Sequence, residues 1–219
     1  MSIAVSCNDE MLVARIICEA MMIGLIALEP VKNPYLKVFV QRLLAVFILD
    51  ELVIMTEGYI LYTNTYAEWK AVFWRTHEII RVFISLSLCY PMSLFVGENG
   101  QKVQRFFVVI SGLVLIGGCF DHLQYRNGHS GMNHIAFMLI FLFTFYQYVQ
   151  LRRQTRGEVP RLKSLMAIES MLIILNFVLI ALFLDRGHEQ KALSTIKITM
   201  TILQYHKFYM IISVMTYFE

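Results

Sequence analysis

Charged and polar side chains interrupt the apolar stretches of this sequence, and these are the positions where chemistry is possible. A polar group inside lipid is energetically unfavourable, so such groups face the interior of a helical bundle or a cavity. The pattern therefore predicts a polar interior between helices. The candidate residues are Asp50, Glu51, Glu57, His77, Glu78, Arg81, Asp121, His122, His134, Glu169, His206 and Lys207.

Three of these candidates, His77, Glu78 and Arg81, fall within little more than one turn of a predicted helix. Glu78 and Arg81 have the i, i+3 spacing at which opposite charges pair on a helix surface. One interpretation is a self-neutralised pair that lets the helix enter a membrane. The other is a lipid site in which Arg81 binds a headgroup phosphate. The full set of candidates for a lipid site or polar groove is His77, Glu78, Arg81, Asp50, Glu57 and Glu169.

A second group of candidates, Asp121, His122 and His134, lies around one predicted turn. Histidine and carboxylate are ligand types for zinc, but their spacing matches no fixed pattern such as His-x3-His. They are metal candidates by residue type alone, and polar residues at a membrane surface are the default interpretation. The sequence has no catalytic or phosphate-binding motif, so we expect no catalytic residue and no particular cofactor. An enzyme that gathers these three residues at one membrane face stays an alternative.

Two polar residues of the sixth apolar stretch, Glu169 and Asn176, are two helical turns apart. At this spacing they share a helix face, which we expect to point into the bundle. A structural hydrogen bond between helices is favoured over catalysis. Gln204, His206 and Lys207 in the last stretch are interpreted in the same way.

The composition is that of a membrane protein. Of the 219 residues, 58% are hydrophobic and 16% are charged, and the mean hydropathy is +0.60. Soluble domains are about half apolar and about a quarter charged. Because the apolar excess extends along the whole chain, we predict a single transmembrane domain over residues 1–219. The net charge of +3 indicates neither nucleic-acid binding nor a polybasic arm.

Seven stretches are long and apolar enough to be crossings, since a helix needs about 20 apolar residues to cross the hydrocarbon. Helices are expected because an open strand edge is not tolerated in lipid. The predicted fold class is therefore all-α, a polytopic transmembrane bundle of seven helices. The stretches are 11–29, 36–63, 70–96, 103–123, 132–152, 162–184 and 193–217.

The first stretch, 11–29, carries Arg15 and Glu19 one turn apart. Opposite charges at this spacing can neutralise each other, but two charges in a short stretch are unfavourable in lipid. An interfacial helix is therefore an alternative, which would leave six crossings.

The orientation follows from the basic residues of the short loops. The loop at 152–163 has the densest cluster, so we expect it to face the cytoplasm, or a matrix or stroma. Alternation then places the 97–102 loop and the C-terminus on the same side. The 63–69, 124–131 and 185–192 loops face the other side. The cluster consists of Arg152, Arg153, Arg156, Arg161 and Lys163.

Several segments from residue 36 onward resemble, in order, the Frag1/DRAM/Sfk1 family of six-helix endomembrane proteins. The segment 59–68 resembles the family's Tyr-Ile-Ser-Asp-Thr region, and 111–120 resembles its glycine-rich third helix. The His-Ile-Ala-Phe segment at 134–137 is similar to the start of the next helix. The Ile-Leu-Gln-Tyr segment at 202–205 is similar to the start of the family's last helix, and 216–219 to its acidic-aromatic end.

The chain departs from the family pattern at several positions. Tyr62 stands in place of the Asp, Gln204 in place of the last-helix Glu, and residues 1–35 have no counterpart. The resemblance implies a role in lipid or GPI-anchor handling, or in membrane regulation linked to autophagy. It also implies a location in the ER, Golgi or lysosome, and it establishes no catalytic residue.

Three functions stay open at this point. The first is a lipid-handling or membrane-regulatory protein, whose partners are membrane lipids. The second is an accessory subunit of a larger membrane complex, such as a respiratory assembly in an organellar inner membrane, which would bind other membrane subunits. The third is a small seven-helix receptor or channel, which needs a cavity lined by Asp50, Glu51, Glu57 and Glu169.

Overall fold

The structure is a computed structural model of the chain. Every regular element among the residues it describes is helical, and these residues contain no β-strand. The predicted all-α class is confirmed for this part of the chain. The described residues are 2–28, 31–63, 76, 79–89, 102, 105–106, 108–110, 112–113, 131–184 and 190–218.

The helices are numbered α1 to α7 in chain order. The first is longer than predicted: it begins at Ser2, before the apolar run starts at residue 11, because each residue added to a formed helix adds a hydrogen bond whatever its polarity. The ranges are α1 Ser2–Leu28, α2 Pro34–Thr63, α3 Ile79–Cys89, α4 the described residues between 102 and 113, α5 Gly131–Gln154, α6 Leu162–Leu184 and α7 Gln190–Met215, followed by a 3-10 turn at Thr216–Phe218.

The start of α2 shows how the sequence sets a helix end. The backbone carbonyl of Asn33 accepts a hydrogen bond of 2.9 Å from the N–H of Lys37, so Asn33 caps the helix and Pro34 is its first residue. Asparagine is a preferred cap, and proline is preferred at the first position because its missing N–H is not needed there.

Helix α7 lies at the centre of the described packing. It contacts α1 and α6, and α6 in turn packs on α5. On the side of α2, Phe47 packs against two aromatic rings of α7, with centroids 4.4 Å from Tyr205 and 5.0 Å from Phe208. Helix α4 contacts α5 through the Phe106 and Phe143 rings, whose centroids are 4.1 Å apart. The described helices therefore form a bundle.

Two of the described helices are long and apolar enough to cross a membrane. They contain the windows His134–Gln154 in α5 and Leu162–Leu182 in α6. Fewer helices meet this criterion than the seven crossings predicted. The other long helices contain charged residues within their apolar runs, such as Glu19 in α1, Asp50 in α2 and Lys207 in α7, and these charges lower the local hydropathy.

Candidate functional site

The guanidinium of Arg81 on α3 joins several helices. Its Nη2 lies 3.2 Å from Oε1 of Glu19 on α1, and its Nε lies 3.4 Å from Oδ2 of Asp50 on α2. Its Nη1 donates a hydrogen bond to the hydroxyl of Thr201 on α7. The exposed fraction is 12% for the Arg81 side chain and at most 1% for the two acidic side chains. A guanidinium has five donors in a rigid fork, which suits it to this junction.

Tyr205 on α7 completes what we call the Arg81 network, which consists of Arg81, Glu19, Asp50, Thr201 and Tyr205. Its hydroxyl donates a hydrogen bond of 3.2 Å to Oε2 of Glu19. Both carboxylate oxygens of Glu19 are therefore bound, one by α3 and one by α7. Removing one partner of a buried pair leaves an uncompensated charge, so the network holds these helices in one arrangement.

A second buried ion pair, the Lys207 pair, joins α7 to α6. The Nζ of Lys207 lies 2.8 Å from Oε2 of Glu169, and it donates a hydrogen bond of 3.1 Å to Oε1. The exposed fraction is 1% for the Lys207 side chain and 0% for that of Glu169. The ammonium also lies 5.5 Å from the centroid of the Phe141 ring on α5, within the range of a cation–π contact. Three helices therefore meet at this pair.

Two smaller polar contacts tie α5 to its neighbours. The amide of Asn176 on α6 donates a hydrogen bond of 2.7 Å to the backbone carbonyl of His134 on α5. The Cys89 Sγ on α3 lies 3.0 Å from the Thr144 hydroxyl, whose own hydrogen is donated to the carbonyl of Ile140. This contact joins α3 to α5, and the thiol also lies 3.5 Å from the backbone carbonyl of Ser85 on its own helix.

The described helices bury charges and expose apolar side chains. On α6, Glu169 and Asn176 are fully buried, as their shared face predicts, while Ile174 and Phe177 are each 60% exposed. On α5, Gln147 is fully buried while its neighbour Tyr146 is exposed. Charged residues are almost never fully buried unless they are paired, and the fully buried charges here, beside the apolar core, are held in ion pairs.

A basic pocket of about 510 Å³ lies at the turn between α5 and α6. Its lining includes Arg152, Arg153, Arg156 and Lys163, with Val149 and Met166 as apolar members. The backbone that shapes it is a Schellman motif. The N–H of Gly157 donates to the carbonyl of Arg152 at 3.0 Å, and the N–H of Arg156 donates to that of Arg153 at 3.4 Å.

The structure brings together some of the predicted site residues and separates others. Arg81 and Asp50 meet in the Arg81 network, while Glu169 lies in the Lys207 pair. His77 and Glu78, and the side chain of Glu57, lie outside the described residues. The prediction that His206 faces the bundle interior is wrong: its side chain is exposed. Its neighbour Lys207 is the buried one.

The predicted metal site is described only at His134, since Asp121 and His122 lie outside the described residues. Within the described part of the chain, no group of three or more His, Cys, Asp and Glu side chains is arranged to hold a metal ion. The metal hypothesis for the three residues stays a prediction.

The partners of Arg81 and Glu19 are the main features that the sequence did not indicate. Spacing along a helix suggested Glu78 for Arg81 and Arg15 for Glu19, and these two pairs stay predictions because the Glu78 and Arg15 side chains lie outside the described residues. The spacing did not indicate the described ion pair between Arg81 and Glu19. Thr201 and Tyr205 were missed altogether. Only the position of Thr201 one turn before Tyr205, on one face of a helix, hinted at a shared role.

Comparison with models of protein families, with curated proteins and with solved structures finds no match to this chain. The resemblance to the Frag1/DRAM/Sfk1 family stays a prediction based on the segments quoted above. One of these segments, 202–205, lies in the interior of α7 and not at its start.

Proposed function

We propose that this chain is a multi-pass membrane protein whose helices are held together by buried ion pairs, and that it acts by binding membrane lipids in a lipid-handling or regulatory role. The observation that carries the proposal is that the described helices bury paired charges and also expose many large apolar side chains. Buried side chains include the charged residues Glu19, Asp50, Glu169 and Lys207, and exposed ones include Met171, Ile174 and Phe177 of α6.

The buried charges have a structural use that supports this reading. Asp50 and Glu19 bind Arg81, and Glu169 binds Lys207, so that each described pair connects different helices. Polar residues within membrane helices face the bundle interior and bind one another. In a soluble bundle the same exposed apolar stripes would be an aggregation hazard. Lipid contact with these stripes removes that hazard.

A topology experiment tests the membrane assignment. Cysteines are introduced singly as Glu158→Cys, between α5 and α6, and Glu189→Cys, before α7, into a chain whose four native cysteines are replaced by alanine. Each is then labelled in sealed membranes with an impermeant maleimide. Because α6 separates the two positions, we expect one to react from outside and the other only after permeabilisation. Reaction of both from the same side would show that α6 does not cross. Release of the chain by alkaline carbonate without detergent would contradict membrane integration altogether.

A receptor-like switch is a second candidate function, and one observation favours it. Helix α7 carries Tyr205 in the Arg81 network and Lys207 in the second ion pair. A movement of α7 could therefore alter both sets of contacts at once. A double-mutant cycle with Tyr205→Phe and Phe141→Leu separates this hypothesis from a static scaffold, because it measures the energetic coupling between the two sets of contacts.

A further inference from the structure

We propose that the basic pocket between α5 and α6 binds the phosphate-bearing headgroup of an anionic phospholipid. This inference rests on the proposed membrane location and adds a site and a ligand class to it. The pocket volume of about 510 Å³ lies within the range of small-molecule sites. The residues that would contact the headgroup are Arg152, Arg153, Arg156 and Lys163.

The charge of the pocket is not neutralised within the described part of the chain. None of the four basic side chains there has an ion pair or a hydrogen bond to an acidic residue among the described residues, and none of the pocket-lining residues is acidic. Arg161 differs, since it lies in the same turn but donates a hydrogen bond to the hydroxyl of Ser213 on α7. Guanidinium groups bind phosphate through paired, charge-assisted hydrogen bonds. A multiply charged phosphate group is the ligand that fits this set.

The backbone of the turn sets the direction in which the Arg156 side chain leaves the chain. Arg156 has a φ of 51° and Gly157 a φ of 80°, both in the left-handed region. Glycine is the usual residue at the position of Arg156 in this motif, so an arginine there adds charge at a position where the backbone prefers no side chain. The first turn of α6, which begins at Leu162, also directs its positive dipole end towards this region.

The surroundings favour a lipid over a free phosphate ion. On α5, the exposed residues Leu139, Leu142 and Tyr146 continue at helical spacing into Val149 and Arg153 of the pocket. On α6, Met166 lies about one turn after Lys163, and exposed apolar residues follow further along the helix. A ligand with an anionic head and acyl chains matches a basic pocket that opens onto apolar stripes. A free phosphate would use only the basic part.

The predicted orientation agrees with this ligand. The 152–163 loop is expected on the cytoplasmic side by the distribution of basic residues. Anionic lipids are concentrated in the cytoplasmic leaflet, where they attract clusters of lysine and arginine close to the membrane.

The test compares lipid binding by the full chain and by two matched variants, each lacking two positive charges. The pocket variant is Arg153→Gln with Arg156→Gly. Glycine suits the left-handed backbone at residue 156, so this change removes a charge without straining the turn. The control variant is Lys37→Gln with Arg42→Gln. Both positions are exposed and lie near the start of α2, on the same predicted side of the membrane as the pocket. Each protein is reconstituted in phosphatidylcholine nanodiscs that contain a fluorescent phosphatidylinositol phosphate.

We expect the pocket variant to bind the phosphoinositide about 25-fold more weakly than the unaltered chain, at about fivefold for each cation lost. The control variant should change less than twofold, and circular dichroism should show the same helix content in all three. Equal losses in the two variants would overturn the proposal, because they would reflect net charge alone.

Competition experiments separate the lipid from its headgroup. Inorganic phosphate and soluble inositol phosphate are added in turn, and each should displace the lipid only at concentrations well above that of the lipid. Equal binding of inorganic phosphate would overturn the assignment to a lipid. A chain that stays in the nanodisc but shows no preference for phosphoinositide over phosphatidylcholine refutes the site and leaves the proposed membrane function standing. A chain that does not integrate refutes the proposed function first.

Discussion

Lys207 and Glu169 are the clearest case of two buried charges that each require the other. Both side chains are buried, and their charges lie 2.8 Å apart. Breaking a buried pair by removing one partner is unfavourable by about 3–5 kcal/mol, whereas replacing both by apolar residues is often neutral. The pair therefore specifies which faces of α6 and α7 meet.

We expect a single substitution in this pair to destabilise the chain more than a double substitution that removes both charges. Glu169→Gln should lower the free energy of unfolding by about 3–5 kcal/mol, because Lys207 keeps its charge without a counter-charge. Glu169→Leu combined with Lys207→Met should recover most of that loss. Unfolding in mixed micelles, followed by circular dichroism, measures both.

Glu158→Gln is the control, since it removes an acidic side chain that is exposed in the turn. It should change the stability by less than about 0.5 kcal/mol. If the double variant is as unstable as Glu169→Gln, the prediction is wrong, and the ion pair itself stabilises the fold beyond neutralising two buried charges.

Residue types and helical spacing predicted which way a polar side chain points better than what it binds. Glu169 and Asn176 share a helix face and are both buried. The same spacing rule suggested Arg15 and Glu78 as local partners, whose side chains lie outside the described residues, and it gave no sign of the ion pair between Glu19 and Arg81 themselves. A helical period defines a face within one helix. It carries no information on which other helix covers that face, so contacts between distant segments required the structure.

At the scale of elements, α1 depends on the Arg81 network for its position. Glu19 on α1 is bound by Arg81 of α3 and by Tyr205 of α7. An interfacial helix, the alternative considered for residues 11–29, would keep its charges towards water. A buried Glu19 with two partners in the bundle instead favours an α1 that packs as a full member of it.

Loosening of α1 should follow the loss of Arg81. Arg81→Gln removes the positive charge opposite Glu19 and Asp50, so α1 should separate from the other helices of the bundle more often. Cys18, which is half-buried and adjacent to Glu19, reports on this through its rate of reaction with a maleimide. We expect that rate to rise at least fivefold, as measured by mass spectrometry of the Cys18 peptide.

Glu169→Gln is the matched comparison, because it breaks the other ion pair and leaves Glu19 and its partners unchanged. It should leave the reaction of Cys18 within about twofold of the unaltered chain. An equal rise in both variants would mean that Cys18 reports on general instability. In that case the specific role of Arg81 in holding α1 would be wrong.

The Arg81 network and the Lys207 pair are either independent or energetically coupled through α7. Tyr205 and Lys207 are two residues apart on α7, so they point to different sides of the helix. Tyr205 faces Glu19 and Phe47, on α1 and α2. Lys207 faces Glu169 and Phe141, on α6 and α5. A static scaffold and a switch predict different behaviour when both sides are altered.

Mild changes on each side make this measurable without unfolding the chain. Tyr205→Phe removes the hydrogen bond to Glu19, and Phe141→Leu removes the ring near Lys207, each with an expected loss of about 1–2 kcal/mol. In a static scaffold, separate sites are independent, so the loss in the double variant should equal the sum of the single losses within about 0.5 kcal/mol. In a receptor-like switch both sites bias one movement of α7, and the interaction energy should exceed about 1 kcal/mol. Because the two sites contact different helices, we expect additivity, and a larger coupling would favour the switch over the scaffold.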